Sequence, residues 1–528
     1  MAVVCWTAAG RKGTPAVPAR HSIGREGAVF DLQVDPLTGL RAGLQAGLQA
    51  GLRVDLRVVG ARRVVAMPDG QGRQGSAVVI GAGIGGLVTA AVLARRFEEV
   101  VLVERDALPP DDAHRPGVGQ AQHVHGLLAR GAEHLENLFP GLRAELSDAG
   151  APVFDHGAGA RTQVWAGTLP GVTAGVEVQT VHRDVFEGAV RRRVLALPRV
   201  TVRDDTAVAG LEVDQGREAV TGVRLEPGTP EGEPETVPAE LVVDASGRFS
   251  RLPDWLEAAG YARPAETRVD AGLAYATRVF KVTEPPARGI HGLQQMNQAP
   301  DRPGGVYAAD IGNGRWIVTL FGAGGAHPPG RAGDEAEWMR FARDLENSHL
   351  DALLDKATPE SGPHQYKRTE NLRREYTRMR RMPDRLIALG DSYCAYNPVF
   401  GQGMTVAIRE AVALGEALDK HAQLDGLARR IQRTVAGIAR DPWLMSTSED
   451  RVWAAFMRSE RPGALLRATA WYKQRLLYLA VNERDPHIVK TFMRVYHMLA
   501  SPAAMGSPRI LAKVLLRASS PRPSRASG

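Results

Sequence analysis

The sequence predicts an α/β protein with three parts: a parallel sheet with helices, a second mixed or antiparallel sheet, and a helical C-terminal region. Three observations predict it. Residues 76–80 and 100–103 are short apolar runs, separated by a glycine turn at 81–86 and a helical pattern over 87–96. That is a βαβ unit, the seed of a parallel sheet. Residues 153–181 and 271–321 alternate in the manner of a half-buried antiparallel sheet. From about residue 426 to 517 the pattern becomes helical and carries Trp443, Trp453, Trp471, Tyr472, Tyr478 and Tyr496.

Residues 1–75 stand apart. From Arg41 to Arg53 a low-complexity repeat puts glycine at every fourth position, which spoils a helix. Too few large apolar residues surround it to bury a core. The segment is read as a disordered extension, with Met67 a candidate start of translation. The Ser/Pro/Arg-rich tail 518–528 is read as disordered too.

Composition bounds the function. The chain has 528 residues, 44% hydrophobic and 24% charged, enough for two or three domains with a sizeable core. Cys5 and Cys394 are the two cysteines, far apart, so neither a disulfide framework nor a cysteine-ligated metal is expected, and a reducing cytoplasm fits. No apolar run would span a bilayer, and no secretion signal opens the chain. The net charge of +7 is spread along the chain and accompanied by no aromatic-basic motif, so no nucleic-acid partner is expected.

The strongest local signal is Val78-Val-Ile-Gly81-Ala-Gly83-Ile-Gly-Gly86, a G-x-G-x-x-G between strand and helix. Gly81 permits the tight turn, Gly83 lets a pyrophosphate approach the backbone, and Gly86 lets helix pack on strand. The helix N-terminus then offers free N–H groups to phosphates. Glu104 ends the second strand 18 residues after Gly86, where a ribose-binding acid is expected, with Arg105 beside it. This is a Rossmann-like dinucleotide site, and it leaves FAD and NAD both open.

A second motif runs Arg385-Leu-Ile-Ala-Leu-Gly390-Asp391, through Pro398 to Gly401-Gln-Gly403-Met404. A strand enters Gly390-Asp391, and a helix follows with its apolar face at Met404, Ile408, Ala411, Leu414 and Leu418. Together the two motifs closely resemble the FAD monooxygenases that include aromatic hydroxylases, squalene epoxidase and polyether epoxidases of polyketide pathways. The resemblance covers roughly residues 76–418. It implies non-covalent FAD, with Asp391 on the ribityl chain, Pro398 against the isoalloxazine and the backbone of Gly401 and Gly403 at its N1–C2 edge. The start of the Met404 helix would supply donors and a positive dipole there.

The same resemblance extends to Val242-Val-Asp244-Ala-Ser246-Gly247, where aromatic hydroxylases carry an Asp-Gly pair linked to FAD and NADPH. Ser246 departs from that pattern, so electrons from NAD(P)H are expected through a separate flavin or ferredoxin reductase. The stretch Arg115-Pro-Gly117-Val-Gly-Gln120-Ala-Gln-His123-Val-His125 is similar to the polyether epoxidases, in which an arginine and a glutamine meet FAD. Arg183 matches a further arginine near the cofactor. His123 and His125 lack a carboxylate or cysteine partner for a metal.

The expected domains are FAD-binding over 76–150, 182–270 and 370–425, substrate-binding sheet over 151–181 and 271–369, and helical over 426–517. No halogenase Trp-x-Trp-x-Ile-Pro stretch, redox cysteine pair or G-x-S-x-G elbow is present. The expected chemistry is oxygen transfer from O2 through a flavin C4a-hydroperoxide to a small hydrophobic polyketide or terpenoid substrate. Epoxidation is preferred over phenol hydroxylation, because no base stands out to take a phenol proton. A reductase of isoprenoid double bonds is the other enzyme reading. Trp165, Tyr275, Arg278, Trp316 and Phe321 are the candidate substrate contacts.

Overall fold

The computed structural model describes residues 74–516, apart from 111, 112, 116, 118, 228–231 and 422. The expected extension up to residue 73, including Met67, and the tail 518–528 lie outside the described residues.

Five parallel strands form the first sheet, in the order Leu386–Ala388, Leu241–Asp244, Gln74–Ile80, Phe97–Val103, Val200–Arg203. The central strand ends in four consecutive buried residues, as a strand covered on both faces must. Val200–Arg203 was not foreseen. It is a four-residue edge strand with no fully buried position, so its composition carries no apolar run.

The first helix, Ile84–Leu93, starts three residues before its expected position, because Gly83 already serves as its N-cap. It is buried almost throughout and packs on the helix Gly403–Lys420. Small residues set the contact. A Cβ at Gly85 would lie 3.2 Å from Ala407 Cβ, and one at Gly415 would lie 2.5 Å from Val92. Close helix packing therefore brings two glycine motifs, distant in sequence, to one place.

The second sheet has eight strands and is mixed. Ala274–Val282, Arg315–Gly322, Gly304–Asp310 and Gly292–Gln295 are antiparallel neighbours, and Gly292–Gln295 then pairs in parallel with Ala160–Val164. Strand alternation gives it two different faces. Ala276, Phe280, Trp316, Val318 and Leu320 pack under the helices Glu335–Asp344 and Ser348–Leu354, around Trp338. Tyr275 and Phe321 belong to the opposite face.

The C-terminal region is helical, as expected. Leu427–Met457 runs beside the first sheet, where Gln432 bonds both the N–H and the carbonyl of Ala388 at 2.9 Å. Helices Ala464–Asn482, Pro486–Tyr496 and Pro508–Leu516 then build a separate core against Val164, Leu169 and Val176. Among the described residues, no helix is long and apolar enough to cross a membrane.

Candidate functional site

The first glycine turn is built for three separate reasons. Gly81 has φ +97°, and a Cβ there would meet Ala245 O at 2.7 Å. A Cβ at Gly86 would lie 1.7 Å from Gly81 O, so helix and turn can meet only at glycine. Gly83 is different: nothing lies within 4 Å of its Cβ position, and it faces a cavity of about 380 Å³. The turn leaves a cradle that a side chain at Gly83 would fill.

Buried charge holds this turn. Glu104 accepts the Ala82 N–H at 2.6 Å and pairs with Arg115 at 2.5 Å. Arg115 also donates to Ala82 O at 3.0 Å and pairs with Glu187 at 3.4 Å. Glu187 pairs with Arg183 at 2.8 Å, and Arg183 touches the Met404 sulfur. Burial pushes the Glu187 carboxyl up, but Arg183 and Arg115 outweigh it and hold the pKa below its ordinary value. Glu104 thus grips the turn itself. Arg105 is exposed and pairs with Asp106, away from the cavity.

The second motif opens on the same cavity. Gly390, Asp391, Pro398, Gly401, Gly403 and Met404 all line it, with Gly83, Gln120, Arg183 and Gly247 from the other segments. Gly390 (φ +59°) and Gly401 (φ +61°) are left-handed positions that favour glycine. The Asp391 carboxylate accepts no hydrogen bond among the described residues. Burial raises its pKa, against Arg248, Arg374 and Arg183. The loop is anchored from behind. Asn397 caps Val399 N–H at 3.1 Å, and its amide donates to Asp450 at 2.9 Å; Asn371 donates to the same carboxylate at 2.6 Å.

Asp244 does not reach the cavity. It is fully buried and accepts the N–H and Oγ of Ser246 and the Oγ of Ser250, so it shapes the turn that presents Gly247. Gln120 donates to Tyr366 Oη at 3.0 Å. His123 meets Thr277 Oγ1 at 2.7 Å and stands edge-on to Tyr275, 4.4 Å between centroids; burial lowers its pKa to about 3. The His125 ring bonds the His123 carbonyl at 2.9 Å, so the two rings do not converge.

The substrate candidates divide by strand face. Tyr275 and Phe321 line the cavity. Arg278 and Trp316 do not. Arg278 lies over the rings of Phe280 and Trp338 on the opposite face, and Trp316 is buried there. One residue of register separates the two groups. Trp165 lines a second, smaller cavity instead.

Four residues that sequence reasoning missed stand between the two cavities: His156, Gln294, Tyr307 and Tyr496 line both. They come from a short helix, two strands and a C-terminal helix, so no local motif could have assembled them. The hydroxyls of Tyr307 and Tyr496 hydrogen-bond each other, and Tyr307 stacks on Phe321 at 5.4 Å. His156 Nδ1 meets His497 Nε2 at 2.6 Å, and His497 Nδ1 accepts the Ala129 N–H at 3.1 Å. That last bond fixes the proton of neutral His497 on Nε2, donating to His156. Burial lowers His156 to about 4 and His497 well below its ordinary value, while Tyr496 is raised to about 12.

A cavity bounded by a Rossmann glycine turn, a second strand–turn–helix and an independent sheet defines a dinucleotide-dependent flavoprotein. This chain belongs to the FAD-binding family of FAD-dependent monooxygenases: the family description "FAD binding domain" matches residues 75–432. It is 32% identical over 449 residues to Protein Rv3254 of Mycobacterium tuberculosis, covering 83% of this chain and 93% of that one. It is 28% identical over 355 residues to the kynurenine 3-monooxygenase of Salinispora tropica, covering 66% and 74%. The flavin-dependent brominase Bmp2 shares the fold at TM-score 0.52 and 14% identity, covering 80% of this chain and 92% of that one. The tetrameric 2-methyl-3-hydroxypyridine-5-carboxylic acid oxygenase does so at 0.52 and 17%, covering 81% and 98%.

The residues present fit FAD. The open cradle at Gly83, the helix N-terminus behind it, the unengaged Asp391 carboxylate and the start of the Gly403–Lys420 helix all face one cavity.

Proposed function

We propose that this protein oxygenates a neutral, hydrophobic substrate at an electron-rich carbon, with FAD held along the Gly81–Gly86 turn and the 390–404 loop. Gly83 would admit the pyrophosphate, Asp391 would take the ribityl hydroxyls, and Pro398, Gly401 and Gly403 would border the isoalloxazine. Arg115 and Gln120 would act from the first domain, Arg115 by fixing the turn through Glu104 and Ala82. Bound FAD, once reduced, would supply an electrophilic oxygen derived from O2. The chain's own side chains orient the substrate and exclude water.

One observation carries the finer reading. On the substrate side of the cavity, His123 and His156 are lowered to about 3 and 4 and Tyr496 is raised to about 12, so these groups stay neutral around pH 7. These three groups are poor proton acceptors, which suits epoxidation of a C=C bond in a polyketide or terpenoid; His291, paired with Asp310 at 2.9 Å on the same cavity wall, is the candidate base for the alternative. Aromatic hydroxylation is the second reading. It is favoured by the kynurenine 3-monooxygenase relatives and by the Tyr307–Tyr496 hydroxyl pair, which offers hydrogen bonds to a ring oxygen.

The test is reaction of the photoreduced holoenzyme with O2. A transient absorbing species before oxidised flavin returns supports oxygenation; direct return with stoichiometric H2O2 at every pH overturns it. With a turned-over substrate, 18O incorporated as an epoxide or as a phenol separates the two finer readings. Electron supply is tested separately. Ser246 motivates slow bleaching of the flavin by NADPH alone and restoration by an added flavin or ferredoxin reductase. Fast bleaching by NADPH alone overturns the separate-reductase reading.

A further inference from the structure

The cavity at the flavin loop does not end at the second sheet. A second cavity of about 140 Å³ continues beneath the C-terminal helices, and His156, Gln294, Tyr307 and Tyr496 form the threshold between the two. Beyond the threshold the walls are apolar: Met296, Leu476, Leu477, Ile488, Phe492 and Met493. The lining also carries Thr162, Asn297, Gln298 and Gln474, and Lys473 paired with Glu449.

The physical contrast decides what belongs on each side. The threshold groups face one another: His497 donates to His156, the Gln294 side-chain amide lies 3.0 Å from His156 Nε2, and Tyr307 meets Tyr496. They form a polar boundary, uncharged around pH 7, that the two cavities share. The chamber behind it is mainly apolar, with the buried Trp165 Nε1–H unpartnered on its wall, and has about the volume of a cavity that stays dry and takes benzene. A group of roughly six carbons fits.

We propose that this chamber is a tail subsite: the substrate carries an apolar appendage of about six carbons that threads past Tyr307 and Tyr496 while its reacting carbon stays at the flavin loop. This rests on the function proposed above and adds the substrate class, a neutral head with one apolar tail. The C-terminal helices thereby set chain-length specificity.

The experiment titrates the FAD-loaded protein with 2-n-alkylphenols from methyl to decyl, all neutral at pH 7, in which hydroxyl and tail leave the same edge of the ring. Each has one hydroxyl for the tyrosine pair and a tail of graded length. Binding is read from the flavin absorbance. Affinity should rise about fourfold per methylene, the yield of burying one CH2, up to about hexyl, and then level off. Leu477→Trp fills the chamber from a half-buried position. It should flatten the series to its shortest members without changing their affinity. Phe492→Ala should move the plateau to longer tails. A series that leaves the flavin spectrum unmoved, shows no rise with length, or rises equally in Leu477→Trp overturns the tail subsite. Flavin released by acid from the same samples tests the underlying reading independently: FAD present with a flat series sinks only the subsite, and its absence sinks both.

Discussion

The two sides of the central cavity are made of opposite materials. The cofactor side is held by glycines and by buried charge, with Glu104, Arg115, Glu187 and Arg183 linked end to end. The substrate side is mostly uncharged, a ring of histidines, tyrosines and apolar side chains. An anionic pyrophosphate needs a fixed backbone and compensating charge. A hydrophobic substrate needs shape and satisfied polar groups. Chain geometry therefore dominates one side and side-chain bulk the other, and substitutions on the two sides should fail differently.

The largest effects belong to the glycine turn, and they separate folding from binding. Gly86→Ala forces a Cβ to 1.7 Å from Gly81 O, so the turn must rebuild. A loss on the order of 4 kcal/mol or more is expected, read as a fall in the melting temperature of the flavin-free protein. Gly83→Val points its side chain into open space. It should abolish FAD retention while leaving that melting temperature within about 2 °C of the parent, since no packing is lost. Retention of FAD by a folded Gly83→Val protein would refute the cradle.

Next comes buried charge. Glu187 lies among Arg115, Arg183 and Arg191. Glu187→Gln removes the carboxylate that Arg183 and Arg191 share, while Arg115 keeps Glu104, and should cost about 3 kcal/mol in denaturant unfolding. A neutral outcome would show that the charge chain is not what fixes the turn.

A pH effect of similar origin links the cofactor loop to the long C-terminal helix. Burial raises Asp450 to about 7, despite hydrogen bonds from Asn397 and Asn371. A carboxyl whose folded pKa is raised contributes stability that is full below its unfolded pKa near 4 and is lost as pH rises through about 7. Burial raises Glu410, which accepts the Gly390 N–H, to about 8, and it acts in the same direction. Stability should therefore fall between about pH 4 and 7, by up to about 4 kcal/mol from Asp450, with the Glu410 contribution extending the fall to about pH 8. Asp450→Asn should flatten that slope, as followed by urea unfolding across the range. An unchanged slope would free the loop from this anchor.

The molecule is most legible from its sequence where local chain geometry dominates. The glycine turn, Gly390-Asp391 and the helix from Gly403 carry their constraints in consecutive residues, and they open on one cavity. It is less legible where a role depends on distant partners. Glu104 and Asp244 stand at motif positions, yet their oxygens are spent on Ala82, Arg115, Ser246 and Ser250. On the second sheet, alternation located the strands but not which face meets the cavity, so Arg278 and Trp316 were grouped with Tyr275 and Phe321. The His156–His497 contact spans 341 residues, and no pattern in either segment announces it.

The mildest substitution separates the two sides of the cavity most cleanly. Tyr307→Phe removes one hydroxyl from the substrate side and nothing from the cofactor side. That hydroxyl donates to the Met296 sulfur at 3.2 Å and hydrogen-bonds Tyr496. Its ring, stacked on Phe321, is retained. The Tyr496 hydroxyl, already buried, loses a partner, and the expected cost is about 1 kcal/mol, the net value of one neutral hydrogen bond. FAD content and the flavin spectrum should not change, because the pyrophosphate cradle and Asp391 are untouched. The affinity of a neutral phenol should weaken several-fold, since its hydroxyl loses a neighbour at the threshold. Loss of FAD on this substitution would mean that the two sides are coupled, and that the charged side alone does not hold the cofactor.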